Sequence, residues 1–110
     1  MIKGTGIDII EISRIKKCIE KQAFLDKVYT KSEQEYIFSK GNCAQTAAGI
    51  FAAKEAAAKA LGTGVCSFTD FEVKHTKTGK PYMEYNGCEI MLSISHCKEY
   101  AVANAIIAEI

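Results

Sequence analysis

Residues 51–64 read FAAKEAAAKALGTG, and no other stretch restricts the fold so tightly. Alanine is the strongest helix former and loses no side-chain freedom when it becomes helical. A run of it at 52–60 therefore dictates a helix, expected from about residue 44 to 61. Gly62 is its natural stop, because glycine takes left-handed backbone without strain. A helix this slim also lets neighbouring segments come close. The charges on it are not needed for helicity. Glu55 and Lys59 are four apart and so share a face, while Lys54 points about 100° away from Glu55. Two readings fit. One is an i, i+4 salt bridge on a solvated face, worth about 0.3–0.5 kcal/mol. The other is a carboxylate for a hard metal and a lysine for a phosphate, with the Gly62-Thr63-Gly64 exit bringing backbone close to a ligand.

The remaining patterns divide the chain in two. Residues 2–9 read as a strand rich in isoleucine, softened by Gly4 and Gly6. EISRIKKCIEKQ, residues 11–22, reads as a helix with Ile12, Ile15 and Ile19 on one face and Arg14, Lys17 and Lys21 on the other. Thr30 and Glu33 form a T-x-x-E capping box, so a helix starts near residue 31 and ends by Gly41-Asn42. After Gly64 the text alternates. Residues 68–76, 81–85, 89–95 and 100–107 read as strands, with a turn at 78–81 and a short loop at 96–99. One strand, then helices, then antiparallel strands predicts an α+β fold, in one domain over residues 1–110.

Composition narrows the function classes. The apolar share is 48%, the charged share 25% and the net charge +1. No global field recommends a nucleic acid or lipid surface. No apolar run approaches the ~20 residues of a membrane span. MIKGTGIDII lacks a signal-peptide pattern, so a cytoplasmic protein is expected. Five cysteines, at 18, 43, 66, 88 and 97, never form C-x-x-C. They read as reduced thiols rather than a zinc site.

Three further features could carry chemistry. Asp8 interrupts an apolar strand, and a carboxylate there needs a partner. That partner is either the amide groups opening the next helix or a divalent cation. Mg²⁺ commonly takes one or two carboxylates, waters and substrate phosphates. His96 closes a strand, where it is either structural or a donor to a phosphate. Arg14, Lys17 and Lys21 are a solvated face or a docking strip for an acidic partner. No P-loop, G-x-G-x-x-G or G-x-S-x-G occurs.

Taken together, GIDI at 6–9 with Arg14, FAAKEAAAKALGTG at 51–64, GKPY at 79–82 and SISHCKEYA at 93–101 resemble the bacterial holo-[acyl-carrier-protein] synthase family, the single-repeat 4′-phosphopantetheinyl transferases. The resemblance spans nearly the whole chain. It implies the phosphopantetheinyl transferase-like fold and transfer of 4′-phosphopantetheine from coenzyme A to a serine of apo acyl carrier protein, in support of fatty acid biosynthesis. Adenosine 3′,5′-bisphosphate is released. It implies that Asp8 and Glu55 hold Mg²⁺ and that Lys59 contacts the coenzyme A phosphates near the reacting centre. It implies that Gly62, Thr63, Gly64 and His96 line the coenzyme A cleft and that Arg14, with Lys17 and Lys21, docks the carrier. It implies a homotrimer with active sites between subunits, and leaves the general base open between Glu55 and a metal-held water. This chain departs from the common pattern at Ile50, where many relatives carry arginine, and at Cys97, where threonine is common. Two rival readings use the same residues: a docking protein without turnover, and a Mg²⁺-dependent phosphohydrolase.

Overall fold

The computed structural model describes residues 1–65 and 67–108. Five strands form one sheet in the order β1-β5-β4-β3-β2, every neighbour antiparallel. They are β1 (Ile2–Glu11), β2 (Val73–His75), β3 (Pro81–Tyr85), β4 (Cys88–His96) and β5 (Tyr100–Ala108). Four helices lie between β1 and β2: α1 (Ile12–Cys18), α2 (Gln22–Val28), α3 (Lys31–Phe38) and α4 (Cys43–Leu61). The expected α+β class is the observed one.

Helix α4 crosses one face of the sheet and touches β1, β5 and β4. Successive strand residues point to opposite faces, and the burial pattern obeys this. Ile10, Ala101, Ala103, Ala105, Ile90 and Leu92 are buried towards α4. Ile7 and Ile9, on the other side of β1, are 61% and 63% exposed, and Met91 of β4 is also exposed. Among the described residues, helices thus cover one face of the sheet and leave the other bare.

The seam between β1 and α4 explains two glycines. A Cβ built on Gly6 would run into the carbonyl oxygen of Ala56 and sit 2.8 Å from the amide nitrogen of Ala60. One on Gly4 would meet the carbonyl oxygen of Ala60. Beyond softening the strand, these glycines let backbone lie directly on a helix of alanines. That contact brings Asp8 of β1 beside the last turns of α4.

Four local expectations need correction. The helix foreseen over 11–22 ends at Cys18, and Lys21 is the residue that begins α2, a helix the sequence reading did not separate. Lys21 therefore leaves the face shared by Arg14 and Lys17. The strand foreseen over 68–76 is a 3₁₀ turn, Phe68–Asp70, followed by the three-residue β2. Asp8 does not cap α1, because β1 runs on to Glu11, which is the cap residue and makes no side-chain capping bond. Gly41-Asn42 does not close α3, which ends at Phe38; Asn42 instead opens α4 by accepting from the Gln45 amide at 3.1 Å. The capping box stands as read, Thr30 accepting from the Glu33 amide and Glu33 from the Thr30 amide. Of the cysteines, Cys18, Cys43, Cys88 and Cys97 are free thiols, and Cys66 lies outside the described residues.

Lys54 fixes α4 to the rest of the helical layer. It has no exposed surface, and its ammonium donates to Glu33 Oε1 at 2.7 Å, the Val28 carbonyl at 2.8 Å and the Phe68 carbonyl at 2.9 Å. All three protons are used. Glu33 Oε2 accepts from the Val73 amide at 2.7 Å. Burial holds the Lys54 ammonium below the usual lysine range, and the Glu33 carboxylate pulls the other way.

Candidate active site

Asp8, Glu55 and Lys59 converge where β1 passes the C-terminal half of α4. Lys59 Nζ donates to the Ile7 carbonyl oxygen at 2.9 Å and to Asp8 Oδ1 at 3.2 Å. The Lys59 side chain is 55% exposed and that of Asp8 18%, so the pair opens to solvent. Glu55 stands one turn earlier on α4. The sequence offered a Glu55–Lys59 ion pair as the bland reading; Lys59 pairs with Asp8 instead.

Glu55 is half-buried and close enough to Asp8 to feel it. Burial pushes its carboxyl above the ordinary range, the negative charge of Asp8 pushes the same way, and Lys59 opposes both. A carboxyl whose proton affinity is raised by burial and by a neighbouring carboxylate belongs to an under-neutralised site. Hard anionic oxygens in a half-open position are what Mg²⁺ takes, since it keeps waters and binds substrate phosphates at its other positions. The donor set therefore fits the cation that the sequence resemblance implies.

The helix exit completes this end. Gly62 adopts φ +78°, the Gly62 amide donates to the Lys59 carbonyl at 3.1 Å and the Thr63 amide to the Ala58 carbonyl at 3.0 Å. This bond pair is the Schellman arrangement, which closes the helix carbonyls and turns the chain sharply. Gly62, Thr63 and Gly64 are exposed, and a Cβ on Gly62 or Gly64 would meet open space. Their use is thus the turn and an unobstructed approach rather than tight packing.

His96 is not part of this cluster. It closes β4 and lines a cleft of about 240 Å³ with Tyr36, Gln45, Thr46, Ile50 and His75. Ile50 is 2% exposed at its floor. Tyr36 and His75 stack with ring centroids 3.9 Å apart and planes 10° apart. Sequence reasoning missed this pair, which has no motif: one ring sits on α3 and the other at the end of β2. Arg14 and Lys17 are exposed on α1, three residues apart, and Lys21 is exposed at the following turn.

Comparison with known proteins gives a consistent answer. Residues 4–108 match the family described as the 4′-phosphopantetheinyl transferase superfamily. The chain is 47% identical to a holo-[acyl-carrier-protein] synthase of Fusobacterium nucleatum, over 97% of this chain and 99% of that one. It is 48% identical to one of Alkaliphilus oremlandii, over 96% and 98%. Its fold superposes with a TM-score of 0.88 on the crystal structure of a holo-(acyl-carrier-protein) synthase from Bacillus anthracis in complex with CoA (3′,5′-ADP). That protein is 41% identical, over 97% of this chain and 96% of that one. With a five-stranded antiparallel sheet, a helical layer on one face and this likeness over almost its full length, the chain belongs to the 4′-phosphopantetheinyl transferase superfamily.

Proposed function

We propose that this protein transfers the 4′-phosphopantetheine group from coenzyme A to a serine of an apo acyl carrier protein, giving the holo carrier and adenosine 3′,5′-bisphosphate. One observation carries the reading for this chain's own residues. Asp8, at one end of the sequence, meets Lys59 and Glu55 of the alanine helix at a half-open, under-neutralised site. The relatives named as holo-[acyl-carrier-protein] synthases support the carrier protein as acceptor, and the B. anthracis complex supports coenzyme A as donor.

In this reading Asp8 and Glu55 would hold Mg²⁺, which would supply neutralisation of diphosphate charge and orientation of the reacting phosphorus. The serine oxygen forms a bond to the phosphorus that bears pantetheine, and the bond from that phosphorus to the bridging oxygen breaks. The leaving group is the nucleotide bisphosphate. Lys59, anchored through the Ile7 carbonyl and Asp8, presents its ammonium to the negative charge growing on that group. The serine proton passes to a base of the site. Glu55 is the candidate that this chain's own side chains offer. Gly62, Thr63 and Gly64 leave the phosphate end unobstructed, and His96 serves the nucleotide end from its own cleft.

That separation supports a shared active site. A cleft on one subunit and a carboxylate cluster on its neighbour can serve one coenzyme A molecule. The bare sheet face, with Ile7, Ile9 and Met91 exposed, supports self-association, and we read the assembly as a homotrimer. The exposed Arg14 and Lys17, with Lys21 nearby, are the proposed docking strip for the acidic carrier. No described helix is long and apolar enough to cross a membrane, and the compartment proposed is the cytoplasm. The test is incubation with coenzyme A, Mg²⁺ and apo acyl carrier protein, followed by intact mass spectrometry. The reading predicts a gain of about 340 Da on the carrier, the covalent product of the displacement. An unmodified carrier rejects it.

A further inference from the structure

Lys59 already stands where a cation is wanted. Its ammonium donates to the Ile7 carbonyl at 2.9 Å and to Asp8 Oδ1 at 3.2 Å, its two hydrogen bonds among the described residues. An ammonium carries three protons, so one is left for solvent or a ligand. The two acceptors differ in kind. The Ile7 carbonyl is backbone of β1, and the close packing of Gly4 and Gly6 on Ala60 and Ala56 fixes that stretch against α4. Asp8 Oδ1 is the end of a side chain that can turn. Lys59 is also the positive charge that Asp8 and Glu55 share. We infer that Lys59 is the resident counter-ion of the Asp8–Glu55 pair in the free protein, and that it yields Asp8 to a divalent cation when the phosphates of coenzyme A draw its ammonium away.

The inference rests on Asp8 and Glu55 being the cation site of a coenzyme A-dependent enzyme, and it names how that site is kept and loaded. With Lys59 in place, two carboxylates face one ammonium. A divalent cation added to that set would lie a few ångström from a like charge, which is unfavourable even in water. A diphosphate removes the conflict, because it offers the ammonium new acceptors. The exchange costs little: the Lys59 side chain is 55% exposed, and an exposed pair is weak. The Ile7 carbonyl remains as the pivot, so the ammonium changes one partner rather than leaving the site. The consequence is coupling, in which cation and coenzyme A each favour the binding of the other. Lys54, on the same helix, cannot do this. Its three protons are all bonded and it has no exposed surface.

The test is titration with Mn²⁺, a paramagnetic ion that suits the same oxygen ligands as Mg²⁺, followed by electron paramagnetic resonance of the free ion. Without coenzyme A, Lys59→Met is expected to bind Mn²⁺ about five- to ten-fold more tightly than wild type, the scale of one unit charge a few ångström away in a water-exposed site. With coenzyme A saturating, and its own Mn²⁺ binding subtracted, that advantage disappears, because wild-type Lys59 has already left Asp8. The inference falls if Lys59→Met binds Mn²⁺ no more tightly than wild type in the free protein. It falls equally if the advantage is the same with coenzyme A bound, which means that Lys59 never moves. A merely structural Lys59 gives the opposite sign, with the variant weaker in both states. Transfer to the carrier protein by the same wild-type preparation separates the two claims. An active wild type whose Mn²⁺ affinity ignores position 59 removes the counter-ion exchange alone. An inactive wild type that shows the expected pattern keeps the exchange and removes the proposed activity.

Discussion

Helix α4 carries two lysines five residues apart, each paired with a carboxylate from elsewhere in the chain, and the two pairs have opposite characters. Lys54 and Glu33 are sealed, with every ammonium proton bonded and both carboxylate oxygens occupied. Lys59 and Asp8 are half open, at a longer 3.2 Å, beside a second carboxylate that raises the local negative charge. A pair with no spare valence can only hold structure. A pair with spare oxygens and an under-neutralised neighbour can bind something else. The difference teaches that the motif KEAAAK contains an anchor and a working group, separated by the roughly 140° that five residues leave between two side chains on a helix.

The largest way to break this contrast is Lys54→Met. It leaves Glu33 buried without its partner, which costs about 3–5 kcal/mol, read as a lower urea midpoint at pH 7. Replacing Glu33 with Leu in the same chain recovers part of that loss, because an apolar pair no longer strands a charge. Lys59→Met removes an exposed pair and stays within about 1 kcal/mol of wild type. A Lys59→Met loss as large as that of Lys54→Met would erase the distinction.

Next comes activity. Lys59→Met and Glu55→Gln are expected to slow transfer about 100- to 1000-fold, the scale for losing one group that stabilises transition-state charge. Carrier-protein mass gain over time measures it, with circular dichroism to verify the fold. A smaller stability effect follows from Gly6→Ala. The added methyl meets the Ala56 carbonyl, so β1 must shift at a cost of about 1–3 kcal/mol. Asp8 moves with it, so transfer should fall along with the melting temperature.

The smallest effect sharpens the comparison through pH. Glu55 binds its proton more tightly when folded than when unfolded. In metal-free protein, stability from this residue is therefore full below the ordinary glutamate value of 4.5 and declines as pH rises through the elevated folded value. Glu55→Gln removes that decline. A difference between the two proteins' pH–stability curves that runs the other way would mean that burial and Asp8 do not raise the Glu55 carboxyl.

What the sequence made legible was local. The alanine helix, its Gly62 stop and the Thr30–Glu33 box depend on residues within a turn or two of each other, and so do β3, β4 and β5. The break between α1 and α2 has no glycine or proline to mark it; the chain turns at Cys18–Lys21 while the isoleucine spacing continues. Residues 68–76 alternate like a strand, yet Lys54 draws in the Phe68 carbonyl and Glu33 the Val73 amide, which leaves a 3₁₀ turn and a short β2. Those are contacts between distant segments, and alternation does not encode them. The site divides the same way. Glu55 and Lys59 were visible as a pair, and Asp8 as a carboxylate needing a partner. Their meeting depends on the Gly4–Gly6 seam against Ala56 and Ala60, and Lys54's role depends on Glu33, a residue already explained as a cap.

Thermal unfolding with coenzyme A, in the presence and absence of Mg²⁺, tests most directly whether Asp8 and Glu55 form one cation-dependent site. The account predicts that Mg²⁺ adds to the melting temperature of wild type with coenzyme A, through ligand linkage to the folded state. It predicts that this Mg²⁺-dependent increment vanishes in Asp8→Asn/Glu55→Gln. An equal increment in the double variant would contradict it.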